Sequence, residues 1–301
     1  MNTKNTARIV ILLLIAAAGF LSKGKIDVAQ LVALLGAQTE TPGAAAHTAS
    51  APAPEQTGNA QNDGFLTLQS MEIPVCGAAS HANDHEIRVF KNYAICYRES
   101  YEQPEWAAYL LTKEMLAKNA ARSNDFRPDP QISTGSATLA DYRGSGYSRG
   151  HLSPAADFTF DSEAMSETFF MSNMSPQTTG FNGGIWQKLE SQVRSWAKRF
   201  GRVFVVSGPV LEKSASAYQS IGVNNVSVPE YYYKVVLATV KDGSVMALGF
   251  IMPNEDRNDS IWKYAVPIDE VERRTNLDFF SLLPDDIEEA VERTSDTTPW
   301  R

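Results

Sequence analysis

The chain has 301 residues, of which 43% are hydrophobic and 21% are charged, and its formal net charge is −8. This length allows a sizeable core, so one large domain with an N-terminal extension is the simplest arrangement, and the composition is that of an ordinary globular protein. The negative net charge argues against a histone-like grip on nucleic acid, which depends on a general excess of Lys and Arg, but it does not argue against an enzyme with a local basic cleft.

The N-terminal segment is typical of an exported protein. Lys4 and Arg8 precede an uninterrupted apolar run from Ile9 to Leu21. This run is shorter than the about 18–20 apolar residues that a membrane-spanning helix needs. Residues 1–25 are therefore predicted to be a secretory signal, with an uncleaved membrane anchor as the alternative. Either interpretation predicts an extracytoplasmic protein that is periplasmic, secreted or attached to a membrane.

A low-complexity tether is predicted between this segment and the folded part. Residues 26–63 begin with a short amphipathic pattern and continue, from about Ala37, as a stretch rich in Ala, Thr, Pro, Gln and Gly. Such a stretch cannot bury enough apolar surface to offset the entropy lost on ordering. The folded domain is therefore predicted to span residues 64–301.

The two cysteines, Cys76 and Cys96, lie near the start of that domain. Their spacing fits no zinc motif, because such sites draw on paired Cys and His clusters. In an oxidising compartment they can form one disulfide, and two unlinked thiols are the alternative.

The hydrophobic patterns of the domain alternate irregularly between strand and helix. The predicted strands are Val89–Tyr97, Trp106–Leu116 (a strand or a mixed segment), Val203–Ser207, and a hairpin of Tyr231–Thr239 and Ser244–Ile251 across residues 241–243. The predicted helices are Asn182–Phe200, with apolar residues at spacings of three and four, and the shorter Ile268–Thr275 and Asp285–Arg293. Because the two types do not alternate regularly, we expect an α+β fold and not a doubly wound one.

Residues 142–158 form the stretch richest in chemically active side chains. They contain His151, Arg143, Arg149 and three glycines. Glycine lets the backbone approach a ligand closely, arginine offers a planar fork to phosphate oxygens, and histidine accepts protons near neutral pH. Taken alone, an Arg-Gly-His triplet is more often an ordinary turn with a hydrogen-bonded histidine.

A second stretch changes that judgement. Ser172–Gln177 is followed by Asn182, which stands at the entrance of the predicted helix, and by Glu190 about two turns later. The amide oxygen of Asn182 can face a hard cation, and Glu190 can reach water bound to that cation because helical side chains lean toward the N-terminus. The alternatives are a helix cap for Asn182 and a solvated helix surface for Glu190.

Together these stretches resemble the DNA/RNA non-specific endonuclease family. The family signature is Asp-Arg-Gly-His with Leu-Ala-Pro-Ala following, then Ser-Asn-x-x-Pro-Gln, then Asn-x-x-x-Trp-x-x-Leu-Glu. The matching positions are Arg149–Ala155, Asn173, Pro176, Gln177, Asn182, Trp186, Leu189 and Glu190. With further likeness upstream and downstream, the resemblance covers roughly residues 71–291. It implies a mainly antiparallel central sheet with flanking helices and a ββα-metal active-site motif.

The resemblance implies a metal-dependent nuclease that hydrolyses DNA and RNA without sequence preference. In it, His151 is the general base that activates water, and Asn182 is the direct protein ligand of one Mg²⁺, for which Mn²⁺ can substitute. Glu190 holds metal-bound water, and Asn173 supports the metal loop.

The resemblance also implies arginines that bind the substrate phosphate. Arg149 binds phosphate and stabilises the developing charge. Arg122 stands where the family often has a phosphate-binding arginine, and the nearby Arg127 competes for that role. Because these contacts fall on phosphate and not on base edges, we expect little sequence specificity.

One position departs from the family pattern. Ser148 stands where the family has an aspartate before Arg-Gly-His. Serine also occurs there in the branch that resembles mitochondrial exo/endonucleases, so the change puts only the role of that carboxylate and the balance of endo- and exonucleolytic cleavage in question. Two rival functions are a nuclease-fold binding protein that has lost catalysis and a phosphodiesterase with a non-nucleic substrate.

Overall fold

The computed structural model describes residues 74–76, 84–240 and 244–301. The predicted signal or anchor, the tether, the Cys76 side chain and the hairpin turn at 241–243 lie outside the described residues. The Cys76–Cys96 disulfide therefore stays a prediction; Cys96 itself is buried. No helix within the described ranges combines the length and the apolar character needed to cross a bilayer.

The described part of the chain contains strands and helices in mixed order. The strands are β1 (Val75–Cys76), β2 (His85–Val89), β3 (Ala94–Arg98), β4 (Gln103–Thr112), β5 (Ser148–His151), β6 (Met174–Gln177), β7 (Arg202–Pro209), β8 (Ser220–Ile221), β9 (Val226–Ser227), β10 (Tyr231–Thr239), β11 (Val245–Pro253), β12 (Ala265–Val266) and β13 (Leu277–Asp278). The helices are α1 (Leu139–Tyr142), α2 (Ser162–Glu167), α3 (Thr179–Phe181), α4 (Gln187–Phe200), α5 (Ile268–Thr275) and α6 (Asp285–Glu292), with a π-helical turn at Asn182–Trp186 between α3 and α4.

A seven-stranded sheet forms the centre, in the order β12-β11-β10-β7-β4-β3-β2, and each neighbouring pair is antiparallel. Separate two-stranded pairings join β1 to β13, β5 to β6, and β8 to β9. The predicted α+β fold with a mainly antiparallel central sheet is confirmed.

The sheet is buried on both faces, and β10 shows why. Tyr232 and Val236 point into the core on the side of α4, whereas Tyr233, Val235 and Leu237 point into the core on the side of α5 and α6. Side chains alternate across a strand, so a continuous apolar run places residues on both faces. The strand therefore separates two layers of helix.

The helix α4 is positioned by its apolar stripe. Leu189, Val193, Trp196 and Ala197 are buried against the sheet, and Gly201 ends the helix with a positive φ. Each large apolar side chain stabilises the packing by about 1.5–3 kcal/mol. This packing anchors the π-helical turn that precedes α4, where Asn182 lies.

Two predicted elements differ from the observed ones at their boundaries. The segment predicted as one strand, Val89–Tyr97, contains the end of β2, a turn and most of β3. The chain reverses there because Phe90 donates its N–H to the carbonyl of Tyr93 at 2.8 Å and the polar pair between them forms the turn. The segment Trp106–Leu116 is the end of β4 followed by a 3₁₀ turn at Glu114–Leu116. The predicted hairpin at β10 and β11 and the helices α5 and α6 are confirmed.

Candidate active site

A β-ribbon followed by a helix carries the predicted site residues. The strands β5 and β6 pair antiparallel, with Ser148 opposite Gln177 and His151 opposite Met174. After β6, the side chain of Thr178 accepts a hydrogen bond from the N–H of Phe181 and caps the helix. Because helical structure begins at Thr179, Asn182 is not the helix cap.

The ribbon is packed too tightly for a side chain at Gly150. A Cβ added there would lie 2.2 Å from two atoms of the Gln177 side chain. Gln177 is fully buried, so it has no room to move aside. The glycine of the Arg-Gly-His triplet thus fits a close approach inside the ribbon.

His151 is enclosed by aromatic rings. Its ring lies 4.9 Å from that of Phe169 and 5.6 Å from that of Phe126, centroid to centroid, and its exposure is 8%. Its Nε2 atom is buried and has no hydrogen-bond partner among the described residues. Burial first, and then the charges of Arg122 and Arg149, lower the pKa of His151 from 6.5 to about 3. The imidazole is therefore neutral at pH 7 and keeps one nitrogen free to accept a proton.

A cleft of about 590 Å³ adjoins this histidine. It is lined by Arg122, Asn124, Phe126, Leu139, Tyr142, Arg143, Tyr147, Ser148, Arg149 and Asn182. The lining contains three arginines and no carboxylate. Arg143 received no role from the sequence, although it lies in the same glycine-rich stretch. The cleft therefore has the charge that attracts an anionic substrate.

The cleft arginines are held by rings and not by acidic partners. The guanidinium of Arg149 lies 4.1 Å from the Phe126 ring centroid, and that of Arg122 lies 4.8 Å from the Phe169 ring centroid. Neither forms an ion pair with any residue that the structure describes. Their forks remain available for phosphate oxygens.

Arg127 occupies a different place. It pairs with Asp125 at 2.7 Å, donates to the carbonyl of Ser166 at 3.0 Å and stacks 3.9 Å over the Phe170 ring. It is absent from the residues that line the cleft. Of the two arginines that competed in the sequence, the structure therefore brings Arg122 to the cleft and leaves Arg127 outside it.

Asn173 directly precedes β6 and is not among the residues that line the cleft. It is fully buried; its Oδ1 accepts from the N–H of Ser153, and its Nδ2 donates to the carbonyls of Ser153 and Thr168, all at 2.9 Å. These bonds fix the chain just after His151. The residue holds the loop in place and is too enclosed to bind substrate.

Glu190 is half-buried and lies near the charged groups of Asp157, Arg194 and Lys234. The sequence did not indicate that these residues come together. Asp157 pairs with Arg194 at 2.8 Å and accepts from Tyr109 at 2.8 Å, and the fully buried Lys234 donates to Ser207. Burial chiefly raises the pKa of Glu190 to about 7 and lowers that of Lys234 to about 8. Glu190 is thus not on a solvated helix surface. The sequence signal for Lys234 was a lone charge inside an apolar strand.

Ser148 lies in the cleft lining with its hydroxyl 3.3 Å from that of Thr179. A neutral side chain stands here where the family pattern has a carboxylate. The electrostatic consequence is a cleft wall with no negative charge beside Arg149.

The backbone that begins at Asn182, before α4, is irregular. Asn182–Trp186 is a π-helical turn, in which Gly184 has φ −108° and ψ −110°. Such turns often occur at functional sites because they redirect side chains within a helix. The Asn182 side chain is half-buried and lines the cleft together with Arg122 and Arg149.

Comparisons with known proteins agree with this geometry. The profile of the DNA/RNA non-specific endonuclease family matches residues 77–286. Human mitochondrial nuclease EXOG is 38% identical over 76% of this chain and 62% of its own length. Human mitochondrial endonuclease G is 34% identical over 64% of this chain and 69% of its own length. A crystal structure of an EndoG/EndoGI complex superposes with a TM-score of 0.65 at 30% identity, over 73% of this chain and 92% of that one.

Two further facts qualify the comparison. The chain spans about 60% of the length of the EXOG nucleases that it matches. The predicted extracytoplasmic location is contradicted by the relatives, because EXOG, endonuclease G and a third matched nuclease are all named as mitochondrial proteins.

The family resemblance inferred from the motifs is confirmed by the profile match, by relatives above 30% identity and by a shared fold. The chain belongs to the DNA/RNA non-specific endonuclease family.

Proposed function

We propose that this protein is a metal-dependent nuclease that hydrolyses phosphodiester bonds of DNA and RNA without sequence preference. The observation that carries the proposal is a cleft lined by Arg122 and Arg149, which have no acidic partners among the described residues, and by Asn182. The neutral His151 lies beside this cleft, with its ring against the Phe126 ring of the lining. Family membership supports the same reaction, since the relatives are named as nucleases.

The cation is proposed to sit at Asn182. An amide oxygen is a hard neutral donor of the type that Mg²⁺ and Mn²⁺ accept, and the Asn182 side chain makes no hydrogen bond with any described residue. Glu190, whose pKa of about 7 leaves part of the carboxyl group ionised near neutrality, would accept hydrogen bonds from water held by the cation. When bound, the cation supplies electrostatic stabilisation to the leaving oxygen.

The residues of the chain itself carry the remaining steps. Neutral His151 accepts the proton of the attacking water, because its buried Nε2 has no competing donor. Arg149 and Arg122 bind non-bridging phosphate oxygens and stabilise the charge that grows on them. The Phe126 and Phe169 rings hold both guanidinium groups and the imidazole in one arrangement. Since these contacts address phosphate and not base edges, DNA and RNA are both accepted.

The test uses supercoiled plasmid and a labelled single-stranded RNA, each with Mg²⁺ and with EDTA. We expect cleavage of both substrates with Mg²⁺ only, and His151→Ala is expected to lower the rate by about 10²–10⁴ because a general base is lost. The matched control is the unchanged far-UV circular dichroism of the variant. A chain that binds DNA but cleaves neither substrate would be a nuclease-fold binding protein, and nicking by His151→Ala at the wild-type rate would remove His151 from the mechanism.

A further inference from the structure

A group of acidic residues lies between α5 and α6, on the opposite side of the sheet from the cleft. Asp269 and Glu272 stand one helical turn apart on α5, and Glu292 is the last residue of α6. One carboxylate oxygen from each residue lies within 4.8 Å of the other two. Three like charges at this distance repel one another strongly unless a cation or a proton intervenes.

Glu292 is the member of this acidic group whose carboxylate is buried without a hydrogen-bond donor for its Oε1 atom among the described residues. Its exposure is 9%. An enclosed carboxylate oxygen without a donor costs free energy, and its place at the C-terminal end of α6 faces the negative pole of the helix dipole. No basic residue stands in the last turn of that helix.

Neighbouring residues do not supply the missing positive charge. None of the three carboxylates forms an ion pair within 4.0 Å among the described residues, although Glu272 accepts the N–H of Phe279 at 2.8 Å. The charges that act most strongly on Glu292 are those of Glu272, Glu288, Asp269 and Asp278, and all four are acidic. Burial and these charges raise the pKa of Glu292 to about 8 and that of Glu272 to about 7.

We propose that Asp269, Glu272 and Glu292 bind a divalent cation of the calcium class, which joins α5 to α6. Calcium prefers oxygen ligands at about 2.3–2.6 Å and tolerates irregular geometry, so two of its ligands stand at most about 5 Å apart. The mutual 4.8 Å limit of the three oxygens fits that span. Asp269 is exposed, so water can complete the coordination from the solvent side.

The site is separate from the proposed catalytic cation in both place and ligand set. The packing of α5 and α6 uses Ile268, Val271 and Val291 on one face of the sheet, whereas α4 packs on the other face. The ribbon is joined to that other face by the hydrogen bond between Ser175 and Tyr232. Three carboxylates also bind calcium more favourably than the single amide oxygen of Asn182 does. Bound calcium therefore stabilises the fold and takes no part in cleavage.

The alternative source of neutralisation is a proton shared among the carboxylates. In that case the folded pKa of Glu292, about 8, exceeds its unfolded value near 4.5, so the folded state binds more protons between these pH values. Stability would then be complete below pH 4.5, fall as pH rises toward 8, and show no response to calcium. This outcome would overturn the proposal.

The experiment measures thermal unfolding of the full chain at pH 8, first in EDTA and then in increasing CaCl₂. All proteins carry Asn182→Ala, so that calcium in the cleft does not contribute. We expect the melting temperature to rise by about 5–10 °C at a calcium concentration about 100-fold above the dissociation constant. Glu292→Gln should abolish the rise, and Asp269→Asn, an exposed change that preserves folding, should move the midpoint at least about tenfold upward.

The matched control is Glu289→Gln on the same helix. Glu289 is exposed and pairs with Arg293, outside the acidic group, so its variant should keep the full calcium response. In the otherwise wild-type chain, Glu292→Gln should leave Mg²⁺-dependent cleavage at 25 °C unchanged. The calcium site would be overturned if Glu292→Gln and Asp269→Asn kept the same calcium-dependent rise in melting temperature as the protein that carries Asn182→Ala alone. It would also be overturned if that protein showed no rise.

Discussion

Replacing Arg149 and Arg127 separately by alanine tests which arginine the reaction uses. Each guanidinium stacks on a phenylalanine ring, at 4.1 Å over Phe126 for Arg149 and at 3.9 Å over Phe170 for Arg127. The two differ in their other partners, because Arg149 lines the cleft without an ion pair and Arg127 pairs with Asp125. They are therefore a matched pair in which the ring packing is similar and only Arg149 lines the cleft.

Arg149→Ala is expected to lower the cleavage rate more than Arg127→Ala does, whereas Arg127→Ala is expected to lower the stability more. Arg149→Ala removes a donor to the charge that develops on phosphate, an effect of about 10²–10³ in rate. Its stability cost is one cation–π contact of about 0.5–1 kcal/mol. Arg127→Ala loses a similar contact, a part-exposed ion pair of less than about 1 kcal/mol and a hydrogen bond of about 1 kcal/mol, so it costs roughly 2 kcal/mol. Its cleavage rate should stay within about threefold of wild type.

The assay is plasmid nicking under single-turnover conditions with saturating Mg²⁺, paired with urea unfolding of each variant. Arg149→Lys adds a useful intermediate, because it keeps the charge and loses the planar fork. The reasoning is refuted if Arg127→Ala loses as much activity as Arg149→Ala, or if Arg149→Ala cleaves at the wild-type rate.

Three further changes probe the cleft. Asn182→Ala should raise the Mg²⁺ concentration for half-maximal rate while DNA binding in EDTA, followed by anisotropy, is unchanged; Thr178→Ala, which removes the helix cap at a cost of about 1 kcal/mol, should leave the Mg²⁺ curve in place. Identical curves for both variants would deny Asn182 a role as ligand. Gly150→Ala should destabilise the domain by about 1–3 kcal/mol because its Cβ would overlap a buried glutamine side chain, whereas Gly183→Ala meets no atom within 4 Å. Equal melting temperatures of the two glycine variants would contradict the tight ribbon. Finally, His151 has a folded pKa of about 3 against 6.5 when unfolded, so its contribution is complete above pH 6.5 and is lost as pH falls toward 3. Melting temperature between pH 7 and pH 4 should therefore fall more steeply for wild type than for His151→Gln, and parallel profiles would contradict the buried neutral ring.

Local sequence patterns determined much of the architecture. The spacing of Leu189, Val193 and Trp196 predicts α4, and the apolar runs on either side of residues 241–243 predict β10 and β11, because these patterns reflect which face each element must bury. The Arg-Gly-His and Asn-x-x-x-Trp-x-x-Leu-Glu motifs likewise identified the family, since their residue types and order are specific.

Other features depend on contacts between distant segments and were decided only by the tertiary structure. Arg122 and Arg127 are five positions apart and look equivalent in sequence, but folding places one over Phe169 in the cleft and binds the other to Asp125. Asn182 does not cap the helix, because Thr178 caps a short turn at Thr179–Phe181 that the hydrophobic pattern does not predict. The chain predicted to form one strand through Phe90 reverses direction there, because a local turn closed by the Phe90–Tyr93 hydrogen bond interrupts the apolar run.

The buried charges show the limit most clearly. Lys234 and Glu190 lie 44 positions apart in the sequence, and only the packing of α4 on β10 brings both beside the pair formed by Asp157 and Arg194. Glu292 meets Asp269 and Glu272 only because α5 and α6 pack on the same face of the sheet. A sequence pattern reports what one segment buries, whereas the charge that surrounds a side chain is the sum over every segment folded against it, and that sum exists only in the folded chain.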